Sequence, residues 1–198
     1  APERFSAPTW GNVSGLGIFA LLTHNKATGL MKEQLVAFCD SVVSLAGGAP
    51  FASSYGNSAR DFYWGCLSES CCGNAISLLY GFSQTGNRDY LIQAYYNMDY
   101  LLGRNPLGYC YVTGMGTKSP QNPHHRLAHT DDIPGPLPGF LVGGPNPAKQ
   151  DGCVYPSDLP DECYLDVVES YASNEIAINW NASLLHLAVA LQELSPLL

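Results

Sequence analysis

Helical periodicity at both ends of the 198-residue chain encloses a central segment that has none. Residues 105–170 hold ten of the fourteen prolines and eight of the twenty glycines, and no apolar stripe runs through them. A segment of this length without regular structure is uncommon inside a compact domain unless it carries function. Three of the five histidines also lie in it. The sequence therefore predicts a helical scaffold that supports one long functional loop.

Outside this loop, apolar residues recur with the spacing of amphipathic helices. The segments concerned are residues 13–21, 31–46, 75–82, 87–102 and 176–191. Asn87 is typical of a helix start, and Gly103 followed by Pro106 is typical of a helix end. Short β-like stretches are expected at residues 109–113 and 140–142. About five helices predict an all-α fold of helical hairpins, as in a barrel or a solenoid.

Composition narrows the classes of partner. Hydrophobic residues make up 46% of the chain and charged residues 13%, which is typical of a globular protein. The formal charge is −8 and the nine Lys and Arg are scattered, so a nucleic-acid partner is not expected. No apolar run reaches the roughly 18–20 residues that span a bilayer, so no membrane partner is expected either. The start at Ala1, without Met, predicts a processed or internal end.

Seven cysteines are many for a cytosolic chain of this length, and none forms a CxxC pair. They are interpreted as mainly disulfide-forming, which predicts a secreted, extracellular protein. Cys153 and Cys163 could close a short loop, but sequence alone does not fix the pairing.

Two carboxylates, Asp166 and Glu175, lie nine residues apart where the long loop gives way to the last helix. Glu175 is placed in the opening turn of that helix, beside apolar and aromatic neighbours. A general acid for glycoside cleavage must hold its proton near neutral pH, which requires burial or a neighbouring carboxylate. Asp166 could be that neighbour, or could orient water or a sugar hydroxyl. The alternative is structural, with Glu175 capping the helix and Asp166 capping a turn.

His124, His125 and Arg126 follow Pro123, which restrains the loop backbone. An imidazole beside a guanidinium suits hydrogen bonding to sugar hydroxyls. A metal site is an alternative, but it would need His129 or Asp131 as further ligands, and a purely structural role is another.

Several aromatic side chains near these loops could stack on pyranose rings. The residues are Trp10, Tyr109, Tyr111, Tyr155, Tyr171 and Trp180. Each of them could equally be an aromatic residue at the edge of the core with its polar atom satisfied.

Taken together, the segments resemble glycoside hydrolase family 9, which consists mostly of endo-β-1,4-glucanases. Thr113-Gly-Met-Gly-Thr-Lys118 and Pro123-His-His-Arg126 resemble its first signature, in which a His and an Arg are functional. The resemblance assigns those roles to His124 and Arg126. Tyr100-Leu-Leu-Gly-Arg-Asn-Pro106 resembles the turn before that signature, although Cys110 departs from the usual residue.

The second family signature contains an Asp between two aromatic residues, then the catalytic Glu and a later Asn. Five residues match it without a gap: Tyr164, Asp166, Tyr171, Glu175 and Asn181. The resemblance implies that Glu175 is the general acid and that Trp180 borders the substrate. By the same resemblance, Tyr171, Arg126 and Trp10 are predicted to bind substrate, and Asp166 and His124 to act with the acid.

The resemblance also implies a missing part. Enzymes of this family invert the anomeric centre, so a second carboxylate must activate water. The family's base is one of two Asp three residues apart, and nothing here fits, since Asp40 and Asp61 stand alone. The family fold is an (α/α)6 barrel of twelve helices. Residues 1–198 are therefore predicted to be the C-terminal portion of one catalytic domain, whose partners are the N-terminal portion and a β-1,4-glucan such as cellulose.

By resemblance, no cofactor is required, while a structural calcium ion is a further expectation. Two other classes of function remain open at this stage. One is a non-catalytic glucan-binding homologue or inactive half-domain, and the other is a structural helical-hairpin protein without a sugar site.

Overall fold

The computed structural model describes residues 4–130 and 133–197, and its regular structure within them is helical, as predicted. Five helices have ten residues or more: α1 (Ser14–Thr23), α2 (Gly29–Ala46), α3 (Gly73–Thr85), α4 (Arg88–Leu101) and α7 (Ile178–Leu194). Two short helices, α5 (Arg126–Thr130) and α6 (Tyr171–Asn174), lie in the second half of the chain. Three 3-10 turns, at Ala59–Asp61, Pro160–Glu162 and Ser195–Leu197, and one π-helix, Leu67–Cys72, complete the set.

Local sequence explains where α4 begins and ends. The side chain of Asn87 accepts a hydrogen bond from the backbone N–H of Asp89 and so caps the helix. Gly103, just beyond the last turn, has a φ of +129° that residues with a Cβ rarely adopt. Both features match the predicted boundaries. Helix α2 is capped in the same way, since Thr28 accepts from the N–H of Met31.

Helix α3 forms the centre of the core and packs against α2, α4 and α7. Its glycine at position 81 allows a close approach, because a Cβ there would lie 2.6 Å from the Sγ of Cys39 on α2. Cys39 and Leu35 on α2 and Leu78 on α3 are completely buried. The helical hairpins are thereby joined into one core.

A π-helix, Leu67–Cys72, directly precedes α3 and continues into it. The sequence predicted only a loop before that helix. Leu67, Ser68, Cys71 and Cys72 are all buried in the π-helix, on one face. The element is only six residues long, too few for a periodic pattern to identify it. The π-helix directly follows Trp64 and Gly65, which belong to the candidate site below.

The long loop of residues 105–170 is largely irregular, as predicted, but it is packed onto the scaffold. Its two β-like stretches meet through an antiparallel bridge between Val112 and Leu141. Tyr111 and Leu141 are completely buried. Helix α5 was not predicted, because five residues are too few for a periodic pattern.

The predicted position of Glu175 in the last helix is wrong. Helix α6 ends at Asn174, Glu175 is extended with φ −70° and ψ 152°, and α7 begins only at Ile178. The physical reason is pairing, since Glu175 forms a parallel bridge with His124 and Ile176 an antiparallel bridge with Val142. Backbone groups committed to these bridges cannot join the helix.

The expectation of disulfides is also not met, because all seven cysteines are free thiols in the structure. Cys163 donates its thiol hydrogen to the carbonyl of Ser157 and does not pair with Cys153. Burial raises the pKa of Cys66 to about 11 and that of Cys72 to about 12. These cysteines therefore behave as small core residues that stay protonated.

Within residues 4–130 and 133–197, no helix combines the length and apolar character that crossing a bilayer requires.

Candidate active site

Glu175 lies on a short extended segment held between two loops. On one side, the N–H of His124 donates to the carbonyl of Asn174 at 2.8 Å. On the other, the N–H of Gly143 donates to the carbonyl of Glu175 at 3.0 Å. Main-chain bonds thus fix the backbone of Glu175 from both directions, and its half-buried side chain makes no contribution to that anchoring. The loop and the last helix meet here, as the sequence predicted.

Asp166 holds the loop that carries His124, called the histidine loop below, against the extended segment of Glu175. Its carboxylate accepts from the backbone N–H groups of Gln121 at 2.8 Å and Asn122 at 2.9 Å. It also accepts from the hydroxyl of Tyr109 at 3.2 Å and the side-chain amide of Asn174 at 3.1 Å. A carboxylate has about four acceptor positions, so these four donors fill all of them. The geometry makes Asp166 a positioning group for the loop that carries His124.

Asn174, directly before Glu175, was not identified from the sequence. It is completely buried, and its amide donates to the carbonyl of Asn122 at 2.7 Å as well as to Asp166. Its side-chain oxygen accepts from the hydroxyl of Tyr164 at 2.5 Å. No periodic or spacing signal marks such an amide, because its partners are 7 to 52 residues away. It links Asp166, the histidine loop and the Glu175 segment.

His124 is held with one ring nitrogen inward. Its Nδ1 lies 2.5 Å from the carbonyl oxygen of Val168, and a carbonyl only accepts, so Nδ1 carries the hydrogen. In the neutral ring, Nε2 is then left as an acceptor. The ring also lies edge-on to Tyr171, with 6.0 Å between centroids. Arg126, at the start of α5, is exposed.

Trp64 contacts the side chain of Glu175 directly and was also missed. Its indole Nε1–H donates to Oε2 of Glu175 at 2.9 Å. The indole ring lies against Tyr171, with centroids 5.3 Å apart and planes inclined by 41°. Trp64 is 39% exposed. The only sequence signal was a Trp inside a small-residue loop, 111 positions before its partner.

Trp180 supports this arrangement from behind and is only 7% exposed. A Cβ on Gly65 would lie 2.7 Å from its ring, and one on Gly143 would lie 3.3 Å away. Gly65 also has a φ of +84°. The turn after Trp64 therefore needs glycine both for this backbone conformation and for the space beside the Trp180 ring. That Trp180 borders a substrate stays a prediction, since the described chain buries it.

Trp10 lies apart from the Glu175 cluster. It is 83% exposed, and its backbone N–H donates to the carboxylate of Glu69 at 2.8 Å. It lines a groove of about 560 Å³ between α1, α3 and α7, together with His186. Burial lowers the pKa of His186. Glu175 is not among the residues that line this groove.

Asp151 anchors the segment before Glu175 from a third side. It accepts from Tyr155 at 2.7 Å, from the Ser170 hydroxyl at 3.0 Å and from the N–H of Ala172 at 3.1 Å. Burial alone would raise the pKa of Asp151, but these bonds and that from the N–H of Cys153 outweigh it and lower the pKa. The hydroxyl of Tyr171 donates to the carbonyl of Gln150 at 2.6 Å. These bonds therefore fix helix α6, which directly precedes Glu175.

The metal interpretations gain no support from the geometry. In the part of the chain that the structure describes, no group of three or more His, Cys, Asp or Glu could hold a metal ion. Asp131 lies outside the described residues, as does the side chain of His129, so a site involving them is untested. The described side chains also do not fit a structural calcium ion through such a group.

The site therefore consists of one carboxylate with a fixed backbone, an indole donor, an oriented imidazole and an aromatic face. A carboxyl group and hydrogen-bonding groups in this arrangement can donate a proton to, or bind, a polar neutral ligand. No second carboxylate contacts this group among the described residues.

Comparison with known proteins identifies a family. Residues 2–188 match the family model described as Glycosyl hydrolase family 9. The xyloglucan-specific endo-beta-1,4-glucanase BoGH9A of Bacteroides ovatus is 53% identical over 203 residues, which cover 98% of this chain and 35% of that protein. The chain spans about a third of the length of such relatives.

Solved structures give the same picture of the fold. The Bacteroides ovatus GH9 structure superposes with a TM-score of 0.86 at 51% identity, over 96% of this chain and 35% of the other. The structure of AaCel9A in complex with cellobiose-like isofagomine gives 0.83 at 31% identity, over 93% and 36%. The helical hairpins thus form part of an (α/α)6 barrel.

Proposed function

Because this chain belongs to glycosyl hydrolase family 9, we propose that it is the C-terminal portion of the catalytic domain of an inverting endo-β-1,4-glucanase. In this proposal Glu175 donates a proton to the glycosidic oxygen as the bond to the leaving sugar breaks. The observation that carries it is the presentation of the Glu175 carboxyl group. The N–H of His124 bonds the carbonyl of Asn174, and the N–H of Gly143 bonds that of Glu175, so the backbone is fixed. One carboxyl oxygen of Glu175 is bound by Trp64, and the other has no partner in the described chain.

The remaining roles follow from the positions of the donors and rings. His124 presents Nε2 beside the Glu175 segment, because Nδ1 is occupied by Val168. Arg126 is exposed two residues later and is proposed to donate to sugar hydroxyls. Tyr171 is proposed to contact the sugar from the aromatic side of the site. Asp166 keeps these groups together through the loop backbone.

The catalytic base is proposed to come from the part of the domain that this chain does not contain. Asp61 is occupied as a cap, accepting from the N–H groups of Asn57 and Ser58. Asp40 accepts from the hydroxyl of Tyr90 on the other side of the core. Neither can activate water opposite Glu175, where inverting enzymes need a carboxylate roughly 6.5–9.5 Å from the acid.

An exposed apolar face supports the idea of a missing portion. Ile178, Leu185 and Val189 project from α7, and Ile178 is 92% exposed. Val13 and Leu16 project from α1 on the same groove that Trp10 lines. Exposed apolar patches of this kind are typical of interfaces. We propose that the N-terminal portion of the domain covers this face and places Trp10 in the substrate cleft.

This face gives a prediction about assembly. The separately produced N-terminal portion is expected to bind this chain, and Leu185→Glu should weaken binding at least about tenfold by burying an unpaired charge. Titration calorimetry with the two purified portions measures it. The matched control is Glu193→Gln, an exposed change on the same helix. Equal binding by Leu185→Glu and the control would contradict the proposed interface.

The stereochemical outcome tests the reaction itself. Proton NMR of cellohexaose hydrolysis by the complete enzyme is expected to show the α-anomer of the new reducing end first, because water attacks opposite the leaving group. Formation of the β-anomer first would contradict inversion. Tight binding of cellohexaose without any hydrolysis would favour the second candidate, a glucan-binding homologue. The observation in its favour is that no second carboxylate contacts Glu175 among the described residues.

The substrate is proposed to be a polymer with a β-1,4-glucan backbone. A relative that is 53% identical is named for xyloglucan, so xyloglucan and cellulose are the two polymers to compare. Extracellular action is proposed on the same ground, because such polymers are too large to enter a cell intact. A structural calcium ion remains a proposal that would need ligands beyond the described side-chain groups.

A further inference from the structure

The indole of Trp64 can give a hydrogen bond to Glu175 but cannot receive one. Its Nε1–H donates to Oε2 at 2.9 Å, and an indole nitrogen has no acceptor position. In a protonated carboxyl group the hydroxyl oxygen is a weaker acceptor than the carbonyl oxygen, so the indole hydrogen bond favours Oε2 as the carbonyl oxygen. The proton of the neutral acid is therefore directed to Oε1.

Trp64 is itself held in place. Its ring lies 5.3 Å from that of Tyr171, whose hydroxyl is fixed to the carbonyl of Gln150 at 2.6 Å. On the other side, Gly65 lies against the buried ring of Trp180, where no Cβ would fit. The donor is thus preorganised from two directions and needs no rearrangement when the acid changes its charge.

We propose that Trp64 is a positioning residue that fixes which oxygen of Glu175 carries the transferred proton. This inference rests on the proposed function, because it needs Glu175 to be the acid. In the forward step, the Oε1–H bond breaks as the proton moves to the glycosidic oxygen. The negative charge left on the carboxylate is stabilised at Oε2 by the indole N–H, and the acid is regenerated from solvent.

The hydrogen bond is stronger to the charged carboxylate than to the neutral acid, so it stabilises the negative charge that develops on Glu175 during proton transfer. Other ionisable groups on the packed elements are His124, Asp166, Glu169 and Tyr171, with Glu69 on the π-helix. Among these, His124 is hydrogen-bonded to the carbonyl of Val168. Asp166 accepts from the four donors described above. Their bonds do not involve Trp64, so its replacement tests the indole alone.

The decisive variant is Trp64→Phe in the complete enzyme, which keeps a ring against Tyr171 and removes the N–H. On an unactivated glucan, kcat is expected to fall about tenfold to a hundredfold, with KM changed less than about threefold. The alkaline limb of the pH profile of kcat should move to higher pH, because the variant lacks the N–H that binds the charged form of the carboxyl group. A merely structural role would lower activity without moving that limb.

Tyr63→Phe is the matched control, since its hydroxyl binds Ser70 and not Glu175. Its profile is expected to equal that of the unmodified enzyme. An unchanged alkaline limb in Trp64→Phe, with the fold intact by circular dichroism, would overturn the inference.

A second measurement needs no variant at the site. In the unmodified enzyme, the NMR resonance of the Trp64 indole N–H should move with the pH at which activity is lost, because it reports the charge on Oε2. A resonance that does not respond to pH would overturn the inference even if Trp64→Phe fails to fold. If the resonance responds but Glu175→Gln stays fully active, the hydrogen bond stands and the proposed function fails.

Discussion

Replacing Glu175 by Gln in the complete enzyme is expected to lower kcat on an unactivated β-1,4-glucan by about 10³-fold. The amide keeps the size of the side chain, and its oxygen can still accept from the indole of Trp64, but it cannot donate a proton to the leaving oxygen. The fold should be retained, because the segment of residue 175 is fixed by backbone bonds from the N–H groups of His124 and Gly143. Initial rates and glucan binding on the purified variant measure the effect.

The matched control for this variant is Glu169→Gln. Glu169 is an exposed carboxylate at the end of the long loop, shortly before Glu175 in the chain, and it receives the same replacement of a carboxyl group by an amide. Its turnover is expected to stay within about twofold of the unmodified enzyme. Near-normal turnover by Glu175→Gln would contradict the assignment of the acid, whatever the control shows.

Asp166→Asn is expected to lower activity about a hundredfold and to destabilise the fold by about 2–4 kcal/mol. The carboxylate accepts from four donors, including two consecutive backbone N–H groups, and the amide would turn one acceptor into a donor facing them. The histidine loop would then keep only its direct bonds to Asn174, so His124 would be held less firmly beside Glu175. Urea unfolding and steady-state rates on the complete enzyme measure the two effects.

Asp158→Asn is the control for this second variant. Asp158 forms an ion pair with Lys149, but its side chain is 98% exposed. Exposed pairs contribute little, so a change in unfolding free energy within about 0.5 kcal/mol is expected. If Asp166→Asn behaved like this control in both stability and rate, Asp166 would not be the attachment of the loop.

The parts of the fold that depend on neighbouring residues could be predicted from the sequence. Asn87 and Gly103 predicted the two ends of α4, because capping and a positive φ are local properties. The β-like stretches were predicted from composition, and the structure pairs them through Val112 and Leu141. The resemblance to the family rested on two signature segments, and the family match over residues 2–188 confirms it.

The parts that depend on distant partners could not be predicted. Glu175 is extended because His124 and Val142 pair with its segment, and no local preference encodes those partners. Trp64 reaches Glu175 across 111 positions, so its role appears only when the chain is folded. The cysteine count suggested disulfides, but whether two thiols meet is decided by the packing of the helices. The roles of the site residues in catalysis stay predictions.

The most direct test of the account is a comparison of two substrates with the Glu175→Gln enzyme. A glucan needs a proton on its leaving oxygen, whereas 2,4-dinitrophenyl cellobioside releases a stable phenolate and needs none. If Glu175 is the general acid, the variant loses about 10³-fold in kcat on the glucan but keeps most of its kcat on the dinitrophenyl substrate. Equal losses on both substrates would contradict Glu175 as the general acid.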